Sequence, residues 1–429
     1  MTADHALFIG IDLGTSGVRA CAIDQNETRL HLCSTPLPEP IRHNEAITQN
    51  PDLWWKATEQ VLKQLFLQID PSEVVAISVD ATSGTVLLCD DTGAPVSDAL
   101  MYNDASCTAQ ADSIKSVAPA SSGAHGNSSG LAKLLFLQEK HPEAKHLLHQ
   151  ADWVVGKLSG LFGITDENNA LKTGYDPQSS CWPDWLNQLH VNTHLLPKVV
   201  PPGTAIGTIR DGLFKEHDLN PKCKIISGTT DSIAAFLATG ANKPGDAVTS
   251  LGSTLVLKII SEKPVSAPEL GIYSHKLGDY WLAGGASNTG GAVIKQHFSQ
   301  QQLDTLTPLL KPDHPTRLNY YPLTQPGERF PENNANLQPR LEPKANSELE
   351  FFQGILEGIS QIEQDGYNKL KQLGAPYPTH VETAGGGSKN PAWTKIRQQL
   401  LSVPVCAAKV SEACYGSALL AKRGHNDSL

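Results

Sequence analysis

No apolar run in this 429-residue chain is long enough to span a bilayer. Met1–Ala6 are polar and only a short apolar run follows them, so no signal peptide is expected. No long basic stretch interrupts the acidic balance, a formal net charge of −10, which argues against a nucleic-acid surface. There is no CxxC pair and no compact His/Cys group. The eight cysteines, at 21, 33, 89, 107, 181, 223, 406 and 414, are scattered as reduced thiols in a cytosol would be, not as a disulfide frame or zinc site. The histidines between His125 and His217 show no ligand spacing and are read as core or surface residues. No GxGxxG opens a helix after the first strand, which weakens a dinucleotide-dependent oxidoreductase. The expectation is a cytoplasmic protein, monomer or homodimer, whose partner is a small molecule rather than nucleic acid or membrane.

What is present begins at residues 7–24. Two short apolar runs, Leu7–Ile11 and Val18–Ile23, flank a turn of small residues and read as a β-hairpin. The turn places Asp12 ahead of Gly14 and Gly17, with Thr15 and Ser16 between the glycines. Glycines let a backbone approach a ligand and turn several N–H groups toward one anion, and hydroxyls add donors for phosphate oxygens. An acid beside phosphate is repelled unless a cation lies between them. A magnesium nucleotide accounts for acid, glycines and hydroxyls together; a tight hairpin with a solvated Asp is the plainer alternative. A partial echo lies at 246–260, where Leu251-Gly252-Ser253 again separates two apolar strands. The repetition implies a duplicated α/β unit with a nucleotide between the copies. At this length two large domains are expected, placed at 1–233 and 234–429.

Between these turns the pattern is that of an α/β protein. Asn50-Pro51 caps and opens a helix whose apolar face is Trp54, Thr58, Val61, Leu62 and Leu65. Val74–Val79 reads as a buried strand running into Asp80-Ala81-Thr82-Ser83-Gly84, with a second strand at Thr85–Cys89. Small polar residues at strand ends are where α/β sheets place ligands, so Thr82 and Ser83 are candidate substrate contacts or plain caps. Tyr102-Asn103-Asp104 has the same two readings. Ile225–Ser227 ends in Gly228-Thr229-Thr230-Asp231 before an apolar helix; Asp231 could cap that helix or act as a general base. Residues 308–343 are too proline-rich for regular structure. Ser347 to Glu350 is a capping box that opens a helix through about Leu373. His380–Ala384 reads as a strand, followed by Gly385-Gly-Gly-Ser-Lys-Asn390-Pro391, which suits either a tight turn or a flat ligand such as a purine and its ribose. A last helix, about 412–422, carries Ala413, Gly416 and Ala418, which permit close packing.

This ordered set resembles the FGGY carbohydrate kinases of the actin/hexokinase/heat-shock ATPase superfamily. Ile9–Gly17 is similar to the first phosphate motif, Ser227–Asp231 to the segment bearing the catalytic aspartate, and Thr249–Thr254 to the second phosphate motif. Gly385–Pro391 is similar to the adenosine motif and Pro326-Gly-Glu-Arg329 to a signature of the second domain. The resemblance implies two duplicated actin/hexokinase-like (ribonuclease H-like) ATPase domains with a cleft between them, using ATP and Mg2+. It implies Asp231 as the base, with Asp12 holding Mg2+ through water and touching the sugar. It further implies Gly14, Thr15, Ser16, Gly252 and Ser253 on phosphate, and Gly386, Gly387 and Asn390 beside adenosine. Ser83 and Asp104 join Asp12 and Asp231 as substrate contacts. Xylulokinases usually carry Gln-Met-His-Gly where this chain has Ala81-Thr-Ser-Gly84, and an Arg shortly after the position of Asp104, absent here. The Thr-Ser-Gly segment and short length resemble the D-ribulokinase-like branch. Conversion of D-ribulose to D-ribulose 5-phosphate is therefore expected, ahead of D-xylulose phosphorylation or a sugar-independent ATPase remnant.

Overall fold

The computed structural model describes residues 5–427, apart from the side chain of Phe214. They form two compact units, one running to Ala238 and resuming at Glu412, the other Thr239–Ser411. The boundary expected at 233/234 thus falls inside a helix, and the C-terminal segment returns to the first unit instead of completing the second.

The first unit is built on a six-stranded sheet. Its strands are β1 (Leu7–Leu13), β2 (Gly17–Ile23), β3 (Arg29–Pro36), β4 (Val74–Ala81), β5 (Ala205–Thr208) and β6 (Lys224–Thr230), in the order β5-β6-β4-β1-β2-β3. β1 runs parallel to β4 and β4 to β6, whereas β1–β2 and β2–β3 are antiparallel. The second unit repeats this scheme with β7 (Asp246–Leu251), β8 (Leu255–Ser261), β9 (His275–Leu277), β10 (Tyr280–Ser287), β11 (His380–Ala384) and β12 (Val405–Ala407), ordered β9-β10-β8-β7-β11-β12. There too the first strand, β7, pairs antiparallel with the second, β8, and parallel with a later strand, β11. The internal echo of the two Leu-Gly-Ser/Thr turns is therefore an echo of topology, each turn joining the first two strands of its sheet.

β1 is buried along its whole length, as a central strand with both faces covered must be. Leu7, Ile9, Ile11 and Leu13 enter the main core with helix α1 (Pro51–Phe66), which Asn50 caps by accepting from the Asp52 amide at 2.8 Å. Phe8 faces the opposite side, against the C-terminal helix, whose Cys414, Ala418 and Ala421 share its cluster. That helix comes so close that a Cβ on Gly10 would lie 1.9 Å from the Cys414 carbonyl oxygen. A small antiparallel sheet, residues 41–43, 46–49, 99–100, 86–89 and 146–149, extends this unit and feeds α2 (Gln150–Ser159); α3 (Asp231–Ala238) follows β6 directly.

In the second unit α4 (Glu348–Gln372) and α5 (Pro391–Leu401) cover the sheet. A buried ion pair joins them: Arg397 Nε and Nη2 donate to the two oxygens of Glu363 at 2.6 and 2.7 Å. Arg397 also reaches Thr383 on β11 at 2.7 Å, and Glu363 accepts from Thr249 on β7 at 2.5 Å. After a short 3-10 turn at Thr307–Leu309, residues 310–343 hold only isolated bridges, as their prolines predict. The last helix, α6 (Ala413–Asn426), closes the chain. Among the described residues no helix is long and apolar enough to cross a membrane.

Candidate active site

The register of the first sheet brings three carboxylates together. Asp12 on β1 lies opposite Asp80 on β4, Asp80 lies opposite Thr229 on β6, and β6 passes straight into Asp231, the first residue of α3. Three neighbouring parallel strands thus end level, at the carboxyl edge where α/β sheets receive ligands. Asp12 is 4% exposed and Asp80 wholly buried. Burial raises the Asp12 pKa and the Asp231 charge raises it further, while a hydrogen bond from Asp80 and the Arg19 guanidinium, 3.3 Å away, pull it back. Burial, then the charge of Asp12, drives Asp80 well above the usual carboxylate range. Ser417 on α6 donates to Asp80 at 2.5 Å. A protonated Asp80 can therefore share its hydrogen with an ionised Asp12. Asp231 is half-buried, accepts from the Ser232 amide at 2.6 Å and acts electrostatically on both other aspartates.

Beside this edge stands the loop that follows β4. Thr82 donates through its hydroxyl to Gln150 at 2.7 Å, and Lys172 Nζ lies 3.4 Å from the Ser83 carbonyl oxygen. Lys133, with no exposed surface, donates at 2.7 Å to the carbonyls of both Gly84 and Met101. It staples the loop to the 101–104 turn from beneath. Burial lowers its pKa to about 7 in spite of the nearby Asp104 charge. Several polar atoms around the loop are buried without a protein partner: Ser83 Oγ, Asn103 Oδ1, Gln150 Nε2 and Thr230 Oγ1. A buried polar atom left unpaired costs about 1–3 kcal/mol, so these atoms leave hydrogen-bonding capacity unmet around the loop.

Asp104, the expected substrate contact, is held by donors of the protein itself. It has no exposed surface; one oxygen accepts from the Ile47 amide at 2.6 Å, the other from the Ser106 hydroxyl and amide at 2.7 and 3.1 Å. Both acceptors are used in fastening the small sheet. His149 is likewise structural: Nδ1 meets Asp152 and Thr165, and Nε2 meets Thr173, anchoring the segment that carries Lys172.

The glycine turns differ in what they leave open. A Cβ on Gly14 would meet nothing closer than the Gly17 oxygen at 3.5 Å, and one on Gly252 nothing closer than the Thr254 oxygen at 3.9 Å. Thr15 is half-buried and Ser16 exposed. Both turns therefore offer bare backbone to an anion. In the second unit the Gly291 and Ala292 amides donate to the carbonyls of Gly252 and Ser253. That start of a helix is itself fixed by Glu328, which accepts from the Ser287 hydroxyl and the Asn288 amide. Glu328 of the Gly-Glu-Arg stretch is thus a support for the second turn. Of the three consecutive glycines, Gly385 is pressed on Leu251 backbone at φ +86° and Gly387 on Leu251 and Trp393, so only Gly386 faces open space. Asn390 caps α5, accepting from the Trp393 amide at 3.0 Å.

Among the described residues no three His, Cys, Asp or Glu groups gather tightly enough to enclose a metal ion. The carboxylates at this edge fit magnesium, which is commonly held by one or two carboxylates together with phosphate oxygens and water. Asp80, Lys133, Lys172, Gln150 and Ser417 escaped the sequence reading. Asp80 had a usable signal, since it ends a strand parallel to the one ending in Asp12; the others come from distant segments without any motif.

Two α/β units built on the same strand core, each with an open glycine turn between its first two strands, and a carboxylate cluster at one sheet edge are the features expected of a phosphotransferase of the actin/hexokinase type. The chain belongs to the FGGY family of carbohydrate kinases: residues 7–238 match its N-terminal domain and 247–424 its C-terminal domain. The xylulose kinase of Staphylococcus epidermidis is 22% identical over 97% of this chain and 87% of its own. A xyloylose kinase from Brucella ovis shares the fold with a TM-score of 0.86 at 23% identity, covering 98% of this chain and 91% of that one. A gluconate kinase from Lactobacillus acidophilus does so with a TM-score of 0.84 at 19% identity, covering 99% and 90%. The molecule is a sugar kinase on a fold that serves more than one sugar.

Proposed function

We propose that this enzyme transfers the γ-phosphoryl group of ATP to the O5 hydroxyl of a ketopentose. Asp231 accepts the hydroxyl proton as O5 bonds to phosphorus, the bond from phosphorus to the β-γ bridging oxygen breaks, and ADP leaves with that electron pair. Asp12, kept in place by Asp80 and Arg19, would hold a magnesium ion through water; the ion would neutralise charge on the triphosphate. The glycine turns at Gly14 and Gly252, with Thr15, Ser16 and Ser253, supply amide and hydroxyl donors to phosphate. Gly386 offers an open face to adenosine, Gly387 and Asn390 shaping its border. The observation that carries this reading is the level ending of β1, β4 and β6, which gathers Asp12, Asp80 and Asp231 beside unpaired hydroxyl-binding atoms.

D-Ribulose is placed first, because Thr82-Ser83-Gly84 puts a small hydroxyl where xylulokinases carry a bulkier pair. D-Xylulose is the second reading, favoured by the names of the curated relatives. A coupled ADP-release assay over D-ribulose, D-xylulose, L-ribulose, glycerol and ribitol decides between them. Sugar-dependent turnover should fall by at least about 10²-fold in Asp231→Ala with the melting temperature little changed. Undiminished turnover in that variant would remove Asp231 from the role of base, and turnover indifferent to every sugar would replace the kinase with an ATPase.

A further inference from the structure

We propose that Lys172 reads the C2 ketone of the substrate and so separates ketopentoses from the corresponding pentitols. The inference rests on the ketopentose reading above and adds the residue that selects for oxidation state at C2. A 2-ketopentose closes its furanose ring through O5. A sugar presenting O5 as the nucleophile must therefore be open-chain, with its C2 carbonyl bare. That oxygen is an acceptor only, whereas C2 of a pentitol carries a hydroxyl that can donate as well as accept. A hydroxyl partner such as Ser83 suits both, because it can reverse its own role. An ammonium group is a donor without acceptor capacity and favours the carbonyl.

Lys172 stands where such a donor is needed. It belongs to a short turn after the buried segment 166–170, and its stem packs on the sugar loop, its Cδ lying 3.4 Å from a Cβ built on Gly84. Among the described residues its one hydrogen-bond partner is the Ser83 carbonyl at 3.4 Å, at the long limit for such a bond. Its remaining N–H groups have no protein acceptor there; burial lowers its pKa, and the Asp231 carboxylate is near enough to favour the charged form against that. Lys133 makes the contrast: on the other side of the loop, it is fully buried and satisfied by two carbonyls. Around Lys172 the unpaired Ser83 Oγ and Asn103 Oδ1 supply what a sugar's hydroxyls would need.

The test compares full-length wild type, Lys172→Met and Lys172→Arg for kcat/KM on D-ribulose and D-xylulose against ribitol and xylitol, with KM for ATP measured in parallel. The expected result is a loss of about 10–100-fold on the ketopentoses in Lys172→Met, the size of one hydrogen bond to a charged group. Pentitol turnover should fall by less, since a C2 hydroxyl can also donate to another acceptor, and KM for ATP should stay within about twofold, so that the ketose-to-pentitol ratio narrows. Lys172→Arg should keep most of the ratio. An equal loss on both sugar classes, or a raised KM for ATP, would overturn the inference by assigning Lys172 to the fold or to phosphate; an unchanged ratio would overturn it as well. Wild type that uses pentitols or other polyols but no ketopentose would overturn the ketopentose reading itself, and this inference with it.

Discussion

Single residues here divide by what their oxygens and nitrogens have left to do. Asp12 and Asp231 keep acceptor capacity at a strand edge, whereas both oxygens of Asp104 are already engaged by protein donors, although all three sit in similar Asp-bearing turns in the sequence. Asp104→Ala should therefore act on stability rather than on chemistry. Loss of an acceptor for the buried Ile47 amide and the Ser106 donors predicts a cost of about 1–3 kcal/mol, read as a lower denaturation midpoint with the pH dependence of kcat unmoved. A large loss of kcat without loss of stability would instead return Asp104 to the substrate. The motif residues were legible because small and acidic residues gather at the ends of apolar strands; the use of each oxygen was not, since Ile47 lies 57 positions from Asp104.

At the scale of elements, the caps were readable and the supports were not. Asn50-Pro51, Asn390-Pro391 and Ser347 open helices where local chemistry says they should. Nothing local says that α6 packs on β1 and delivers Ser417 to Asp80, though the small residues Gly416 and Ala418 hinted at a close approach; a Cβ on Gly416 would lie 1.8 Å from the Ala234 oxygen of α3. The buried Arg397–Glu363 pair plays the corresponding part in the second unit, tying α4 and α5 to β7 and β11. Removing one member leaves an uncompensated buried charge, so Arg397→Met should cost about 3–5 kcal/mol. Chemical denaturation of the full chain measures it, and a cost below about 1 kcal/mol would mean that the charge is not held where the geometry places it.

At the scale of the whole molecule, the buried acids contribute a stability that leans toward acid, opposite in sign to the buried Lys133. Asp166, 2% exposed, has its pKa raised to about 7, by burial first and then by the charge of Asp152; burial also raises Asp12 and Asp80. Each binds its proton more tightly folded than unfolded. Their contribution is therefore complete below the ordinary Asp pKa and lost as pH rises through the folded value, for Asp166 between about pH 4 and 7. Asp166→Asn, whose amide oxygen can still accept from the Asn168 and Asn169 amides, should flatten the fall in melting temperature between pH 5 and 8 and gain on wild type at the upper end. Parallel curves for the two proteins would show that Asp166 is ionised in the fold.

The sequence by itself determined the class of chemistry, the two-fold plan, the phosphate turns and the position of Asp231. Each of these follows from residue types within a few positions of one another, where backbone conformation and local donors decide. Only the tertiary structure decided that Asp80 joins Asp12, that Asp104 is spent on packing, that the C-terminal helix belongs to the first unit, and that Lys172 faces the sugar loop. Those outcomes depend on strand register and on contacts across many tens to hundreds of residues, where burial and charge are set by neighbours that no local pattern names.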